Sequence, residues 1–308
     1  MTSFIDLASQ NYEKKDKTIL KVAYADFWPE WVDENFIEPI LNETYNVEID
    51  QKNPDVLFYS IFGNSHTKYK CKKVLYVAEN IRYPYNDSIR KNINSAYENS
   101  DYTITFDPPT EKNFRLPLWQ VFILRNPSYI DRLLNRVNHS EFERFCSFTV
   151  SNPSNSLRNN AFDGLSTYKR VHAYGKVRMN DLGLNRASQG RYWRDAKDEF
   201  FLQHPHKFML TFENTSYPYY CTEKLMDSFL VGSLPIYWGD PKVEEDWNTK
   251  AFINAMKKPN WLDLVKTADS NKTFWEELYL EPVFNDNQRI RHLNNIEEFK
   301  WWLTKIVK

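Results

Sequence analysis

Short runs dense in β-branched and aromatic residues alternate along this chain with longer segments of helical polarity, and they do so in two separate series. "ILKVAYADF" (19–27), "DVLFYSIF" (55–62), "KVLYVAEN" (73–80) and "DYTITFD" (101–107) are strand-like, and "NDSIRKNINSAYENS" (86–100) is patterned as a helix. Brief apolar runs separated by helices are what strands covered on both faces look like, so the pattern predicts a mainly parallel sheet in an α/β layer. After a charged, helical stretch at 127–145 the pattern starts again. "CSFTVSN" (146–152), "KRVHAYG" (169–175), "KFMLTFEN" (207–214) and "SLPIYWGD" (233–240) are the second set of expected strands. "NSLRNNAFDGLSTY" (155–168) and "TEKLMDSFLVG" (222–232) are expected helices, with Asn155 or Ser156 as N-cap of the first and Gly232 ending the second. Two α/β series predict two facing Rossmann-like domains with a cleft between them, residues 1–145 and 146–308. The second carries a helical C-terminal tail broken near Pro282.

Composition narrows the function classes. A chain of 308 residues is enough for one large domain or two medium ones. Lys plus Arg number 40 and Asp plus Glu 41, a balance that argues against binding nucleic acid over the whole surface. Aromatics reach 16%, side chains with an apolar body and a polar tip that suit sugar and base contacts as well as cores. The three cysteines, Cys71, Cys146 and Cys221, fit no zinc module, and their odd number argues against a disulfide framework. None of the seven glycines forms a G-x-G-x-x-G or a P-loop. No Asp-x-Asp pair exists to bridge a metal to a diphosphate, and the two histidines of "HPH" (204–206) lack a third ligand nearby.

The polar groups concentrate instead between two expected buried elements. "TFENTSYPYYCTEKLMDSFLVGSLPIYWGD" (211–240) sets Glu213, Asn214, Tyr220, Glu223 and Lys224 between a strand and a helix. A diphosphate can be held without metal by basic side chains beside a helix N-terminus. Arg158 and Lys224 each fall in the first turn of an expected helix, and Lys224 there opposes the helix dipole unless something anionic compensates it.

This stretch resembles the signature of the α-1,3-fucosyltransferases of glycosyltransferase family 10, above all bacterial members such as those of Helicobacter. "VSNPSNSLRNNAFDGL" (150–165) is similar to the family's turn and helix with a donor-binding arginine. "LYVAENIRYPYND" (75–87) is similar to its acceptor-domain segment with a glutamate after a strand, and "YTITFD" with "FRLPLWQVF" (102–122) to the run that follows. The resemblance spans roughly residues 70–255. Pro218 and Cys221 depart from the usual pattern, and the long tandem heptads of some Helicobacter members are absent.

The resemblance implies a GT-B architecture, with an N-terminal acceptor domain facing a GDP-fucose domain. It implies that Arg158 and Lys224 neutralise the diphosphate, that Glu223 bonds ribose hydroxyls, and that Asn214 and Tyr220 contact the donor. Glu79 would be the general base, with Glu213 supporting the loop. The implied reaction is inverting transfer of L-fucose to the 3-hydroxyl of N-acetylglucosamine or glucose in a galactose-containing glycan. Its product would be of Lewis x or 3-fucosyllactose type, made with no required metal and at most stimulation by Mn²⁺ or Mg²⁺. Two alternatives stay open: a GT-B transferase using another sugar nucleotide, and a non-catalytic carbohydrate-binding protein of the same fold.

The expected partners are therefore GDP-fucose and an N-acetyllactosamine- or lactose-like acceptor, with no nucleic acid. "MTSFIDLASQNYEKKDK" (1–17) lacks an apolar signal core, and no window spans a bilayer, so the expected location is cytoplasmic. "FKWWLTKIVK" (299–308) mixes aromatic, aliphatic and lysine residues and is a candidate for peripheral contact with the inner face of the membrane, against the alternative that its aromatic face packs back on the protein.

Overall fold

The computed structural model describes residues 17–308 except Tyr83 and Pro84, and except the side chains of Val32 and Asp33. Two parallel sheets follow one another along the chain. The first has six strands: β1 Ile19–Ala25, β2 Asn46–Ile49, β3 Val56–Tyr59, β4 Lys72–Val77, β5 Tyr102–Thr105 and β6 Asn113–Arg115, in spatial order β2-β1-β3-β4-β5-β6. The second has five: β7 Arg144–Phe148, β8 Val171–Ala173, β9 His206–Phe212, β10 Leu234–Trp238 and β11 Ile253–Asn254, in order β11-β10-β9-β7-β8. Every pairing in both sheets is parallel. The interior strands show why the sequence reads as it does. All of Val56–Tyr59 and Val74–Val77 are buried, because helices cover both faces, whereas the edge strand β2 is mostly exposed.

The helices start where local chemistry allows. Asn86 caps Asp87–Glu98 by accepting from the Ile89 N–H, and Asn155 caps Ser156–Ser166 by accepting from the Arg158 N–H at 3.1 Å. Gly232 follows Glu223–Leu230 with φ +71°, in the left-handed region that a side chain disfavours. A helix at Trp193–Gln203, between β8 and β9, carries no strong pattern in the sequence.

The two sheets share a packed seam. Trp119, Ile123, Tyr129 and Leu133, from the helices Leu118–Arg125 and Ser128–Leu134, pack on Leu225, Phe229 and Trp247. Helices Lys272–Tyr279 and Asp286–Ile306 flank the expected break at Pro282. The last is fixed at its start by a capping box between Asn285 and Gln288. It then runs back along the molecule: His292 donates to the Asp246 carbonyl at 2.7 Å, and Phe299, Leu303 and Ile306 enter the core of the first sheet. The apolar face of 299–308 is thus spent on protein packing, leaving Trp301 exposed with the Lys305 ammonium 3.8 Å over its ring. Among the described residues no helix is long and apolar enough to cross a membrane.

Candidate active site

Residues at the C-terminal ends of β4 and β9 meet across the seam. In open parallel sheets this edge is where loops diverge and ligands enter. Glu79 lies two residues past β4, half-buried, and accepts a hydrogen bond from the Tyr220 hydroxyl at 3.1 Å. Its neighbour Asn80 donates to Thr215 Oγ1 at 2.8 Å, and the Arg82 guanidinium lies 4.2 Å over the Tyr217 ring. Three successive contacts therefore pin the Glu79 segment to the 215–220 loop. Tyr220 is 2% exposed, with Phe106 against its ring. The family resemblance implies a donor contact for this tyrosine; in the fold its hydroxyl donates to Glu79.

Behind Tyr220 sits a compact charged group. Glu213 is fully buried at the end of β9. Its carboxylate accepts from the Thr222 N–H at 2.8 Å and from the Thr222 hydroxyl. Lys224 donates to Thr222 Oγ1 at 2.9 Å and lies 3.2 Å from Glu213 and 3.3 Å from Glu223. Thr222 thus relays between lysine and glutamate. No Cβ fits at Gly239, where it would stand 2.3 Å from Glu213 Cγ, so only glycine lets β10 approach this buried acid.

The electrostatics follow from this crowding. Burial works against the charge of Lys224, yet Glu213, Glu223 and Glu79 around it hold its pKa above the usual lysine value. Burial likewise works to raise Glu223, but the ammonium of Lys224, with Lys197 and Arg194 behind it, holds that carboxyl down at about 2. Burial pushes Glu213 up, opposed by Lys224. The anionic compensation that a lysine in a first helical turn requires is present twice over.

Arg158 and Asn214 complete the rim. Arg158 is 2% exposed and donates to the Asn152 carbonyl at 2.6 Å. Asn155, the cap of its helix, also donates to the Asn214 carbonyl at 2.8 Å, tying the start of that helix to the end of β9. The Asn214 side-chain oxygen is buried and has no hydrogen-bond partner among the described residues. The fold brings Glu213, Glu223 and Lys224 into one group and Glu79 with Tyr220 into another beside it. Arg158 stands on a separate helix start, joined through Asn155 to the Glu213 and Asn214 carbonyls.

Several neighbours were not legible. Thr222 carries the relay, and Asp227 binds both Arg194 and Lys197 on the wall behind Glu223. Asp240, fully buried after β10, accepts from the Tyr219 and Lys242 N–H groups at 2.7 Å each. Only the third of these had a sequence signal, a Gly-Asp closing a strand-like run. No group of three or more His, Cys, Asp or Glu stands together to hold a metal ion among the described residues, and both "HPH" histidines have other partners, Glu143 for His204 and Tyr174 for His206.

Comparison with known proteins places the chain in a family. A family model described as the Alpha-(1,3)-fucosyltransferase FucT N-terminal domain matches residues 22–122. Another, described as Glycosyltransferase family 10 (fucosyltransferase) C-term, matches residues 140–279. The chain is similar to the alpha-(1,3)-fucosyltransferase FucT of Helicobacter pylori, at 27% identity over 92% of this chain and 65% of that protein. It is also similar to GDP-fucose protein O-fucosyltransferase 3 of Xenopus laevis, at 28% identity over 47% of this chain and 31% of that protein. The chain thus spans less than two thirds of the length of these curated relatives. A crystal structure of an α1,3-fucosyltransferase with GDP-fucose superposes with a TM-score of 0.68, at 24% identity, covering 96% of this chain and 93% of that one; it supports the GT-B fold. With one family model over each sheet and both series of motifs in place, the chain belongs to glycosyltransferase family 10.

Proposed function

We propose that this chain transfers L-fucose from GDP-fucose, with inversion, to the 3-hydroxyl of N-acetylglucosamine or glucose in a galactose-containing glycan. The observation that carries the reading is the position of Glu79. It is a carboxylate oriented by Tyr220 at the end of a first-sheet strand, next to the Glu213–Lys224 group of the second sheet. In this reading the acceptor hydroxyl attacks fucose C1 while Glu79 takes its proton. The bond from C1 to the phosphate oxygen breaks on the opposite face, and GDP leaves with the electron pair. Lys224 and Arg158 neutralise the charge that develops on the diphosphate, so no metal is required. In this reading Glu223 bonds the ribose hydroxyls, Asn214 offers an unmet acceptor to the donor, and Glu213 keeps Lys224 charged and in place.

The acceptor half is supported by a hollow of about 370 Å³ at the end of β1, walled by Tyr24, Phe27, Trp28 and Trp31. The Trp28 ring lies 6.3 Å from that of Tyr76, three residues before Glu79. Aromatic faces there suit the apolar face of a pyranose. The test is a panel of GDP-fucose, GDP-mannose and UDP-sugars, with lactose and N-acetyllactosamine as acceptors and linkage analysis of the product. Fucose linked to the 3-hydroxyl, with inverted anomeric configuration, is expected from GDP-fucose alone. Turnover of another donor, or glycan binding without turnover of any, contradicts the reading.

A further inference from the structure

At Gln51 the aromatic hollow meets a second depression. Gln51 borders the hollow at the end of β1 and also lines a groove of about 820 Å³, between the segment that follows β2 and the one that leads into β4. The other walls of the groove include Lys52, Ser65, Lys68, Tyr69 and Lys70, and no carboxylate lines it among the described residues. Two hydrogen bonds tie the depressions together. The Tyr69 hydroxyl donates to Gln51 Oε1 at 3.2 Å, and the Ser65 N–H donates at 2.8 Å to Asp26, a wall residue of the hollow. Lys52, Lys68 and Lys70 are exposed, and none of their ammonium groups is in an ion pair among the described residues. The acids of the adjoining loop are already engaged. Asp50 accepts from the Lys21 ammonium and from the Lys52 and Asn53 N–H groups, and Asp55 accepts from the Lys21 N–H. In a chain of formal net charge −1, three lysines around one groove with no facing carboxylate make a local positive field.

Position and charge together say what the groove receives. Trp28, on the wall of the hollow, lies between Glu79's strand and Gln51, its ring 6.3 Å from that of Tyr76. A glycan with its reacting sugar at Glu79 and the neighbouring sugar on the aromatic wall therefore directs its next substituent toward Gln51 and the lysines; the inference rests on the acceptor reading given above. We propose that the groove extends the acceptor site and that the preferred acceptor is an acidic glycan. Its anionic substituent, a sulfate ester or a carboxylate-bearing sugar, is attached to the residue next to the one fucosylated. The three lysines are point charges on flexible stems, so they select for negative charge rather than for the shape of one acid. The Gln51 NH₂ has no partner among the described residues and can donate to a glycan oxygen at the junction.

The test compares kcat/KM of the whole chain, with GDP-fucose as donor, on N-acetyllactosamine, its 3′-sulfated and 3′-sialylated forms, and a neutral trisaccharide with galactose in place of the sialic acid. Exposed ion pairs are individually weak, so the three lysines together are expected to favour both acidic acceptors by roughly fivefold to twentyfold at low ionic strength. The gain should lie in KM, because a charge away from the reacting atoms binds substrate and transition state alike. It should largely vanish at about 0.5 M NaCl, where the screening length is about 4 Å. Replacing all three lysines (Lys52→Gln, Lys68→Gln and Lys70→Gln) should bring the acidic-to-neutral ratio down to about one. That ratio is taken within one preparation, so partial unfolding cancels. A parent that uses acidic and neutral acceptors equally well overturns the proposal and leaves fucosyl transfer standing, and a preference that survives the triple substitution does the same. Equal use of the acceptors, together with sedimentation of the parent but not the triple variant on phosphatidylglycerol vesicles, overturns it in favour of a lipid surface. A parent that transfers fucose to none of the four overturns this inference along with the function proposed above.

Discussion

Replacing Lys224 by alanine removes one ammonium from between two carboxylates. The distances are 3.2 Å to Glu213 and 3.3 Å to Glu223, and Glu213 is wholly buried. Breaking a fully buried pair costs about 3–5 kcal/mol, because the surviving charge stays behind unpaired. Here the lysine side chain is 25% exposed and Thr222 still donates to Glu213, so about 1–3 kcal/mol of stability is the expected loss. Binding should suffer separately. A charge-assisted hydrogen bond to the diphosphate is worth about 1.5–3 kcal/mol, which corresponds to roughly tenfold to a hundredfold in GDP affinity. The two effects are separated by measuring urea unfolding and GDP titration on one preparation, at low ionic strength where charge effects are largest. A Lys224→Ala protein that loses stability but binds GDP with the affinity of its parent would refute the placement of the diphosphate here.

Other outcomes follow from the same contacts. Asp240 titrates near 7 in the fold, raised by burial and by Asp246, against about 3.9 in an unfolded chain. Between those values the fold holds a proton that the unfolded chain has released, so stability falls as pH rises from about 4 to 7. Asp240→Asn keeps the acceptor for the Tyr219 and Lys242 N–H groups; it should flatten that slope and gain roughly 2–4 kcal/mol at pH 8, measured by denaturant titration across pH. Tyr220→Phe deletes the hydroxyl that orients Glu79; transfer should slow several-fold with GDP affinity unchanged, and weakened GDP binding would mean that Tyr220 serves the donor instead. Chelator-treated enzyme should keep most of its transfer rate, and complete loss reversed by stoichiometric metal would contradict a diphosphate held by Lys224 and Arg158.

How far the sequence carries depends on the range of the interaction. The interior strands were legible because burial on both faces leaves uninterrupted apolar runs, as in "DVLFYSIF", and the Ser156–Ser166 helix because Asn155 caps it within three residues. The three-residue strand β6 and the Trp193–Gln203 helix were not, since their stability comes from packing rather than pattern. Glu213, Glu223 and Lys224 lie within a dozen residues, and their grouping could be expected. The bond from Tyr220 to Glu79 crosses 141 residues, and Thr149, Asp198 and Thr211 reach one cavity from three elements. No spacing rule reports such meetings. The tail shows the same limit: "FKWWLTKIVK" has a composition that fits either membrane or core, and only the position of the first sheet assigns Phe299, Leu303 and Ile306 to the core.

The central claim, that Glu79 is the base of a transfer between the two sheets, is tested most directly by Glu79→Gln. The amide keeps the shape and accepts the Tyr220 hydrogen bond through its oxygen, but it cannot take a proton. General-base assistance is worth about 10²–10⁴-fold, so the single-turnover rate of fucose transfer should fall at least about a hundredfold while GDP affinity and melting temperature stay near those of the parent. A folded Glu79→Gln protein that binds GDP and transfers fucose at close to the parental rate would contradict the account and make Glu213 the next carboxylate to test.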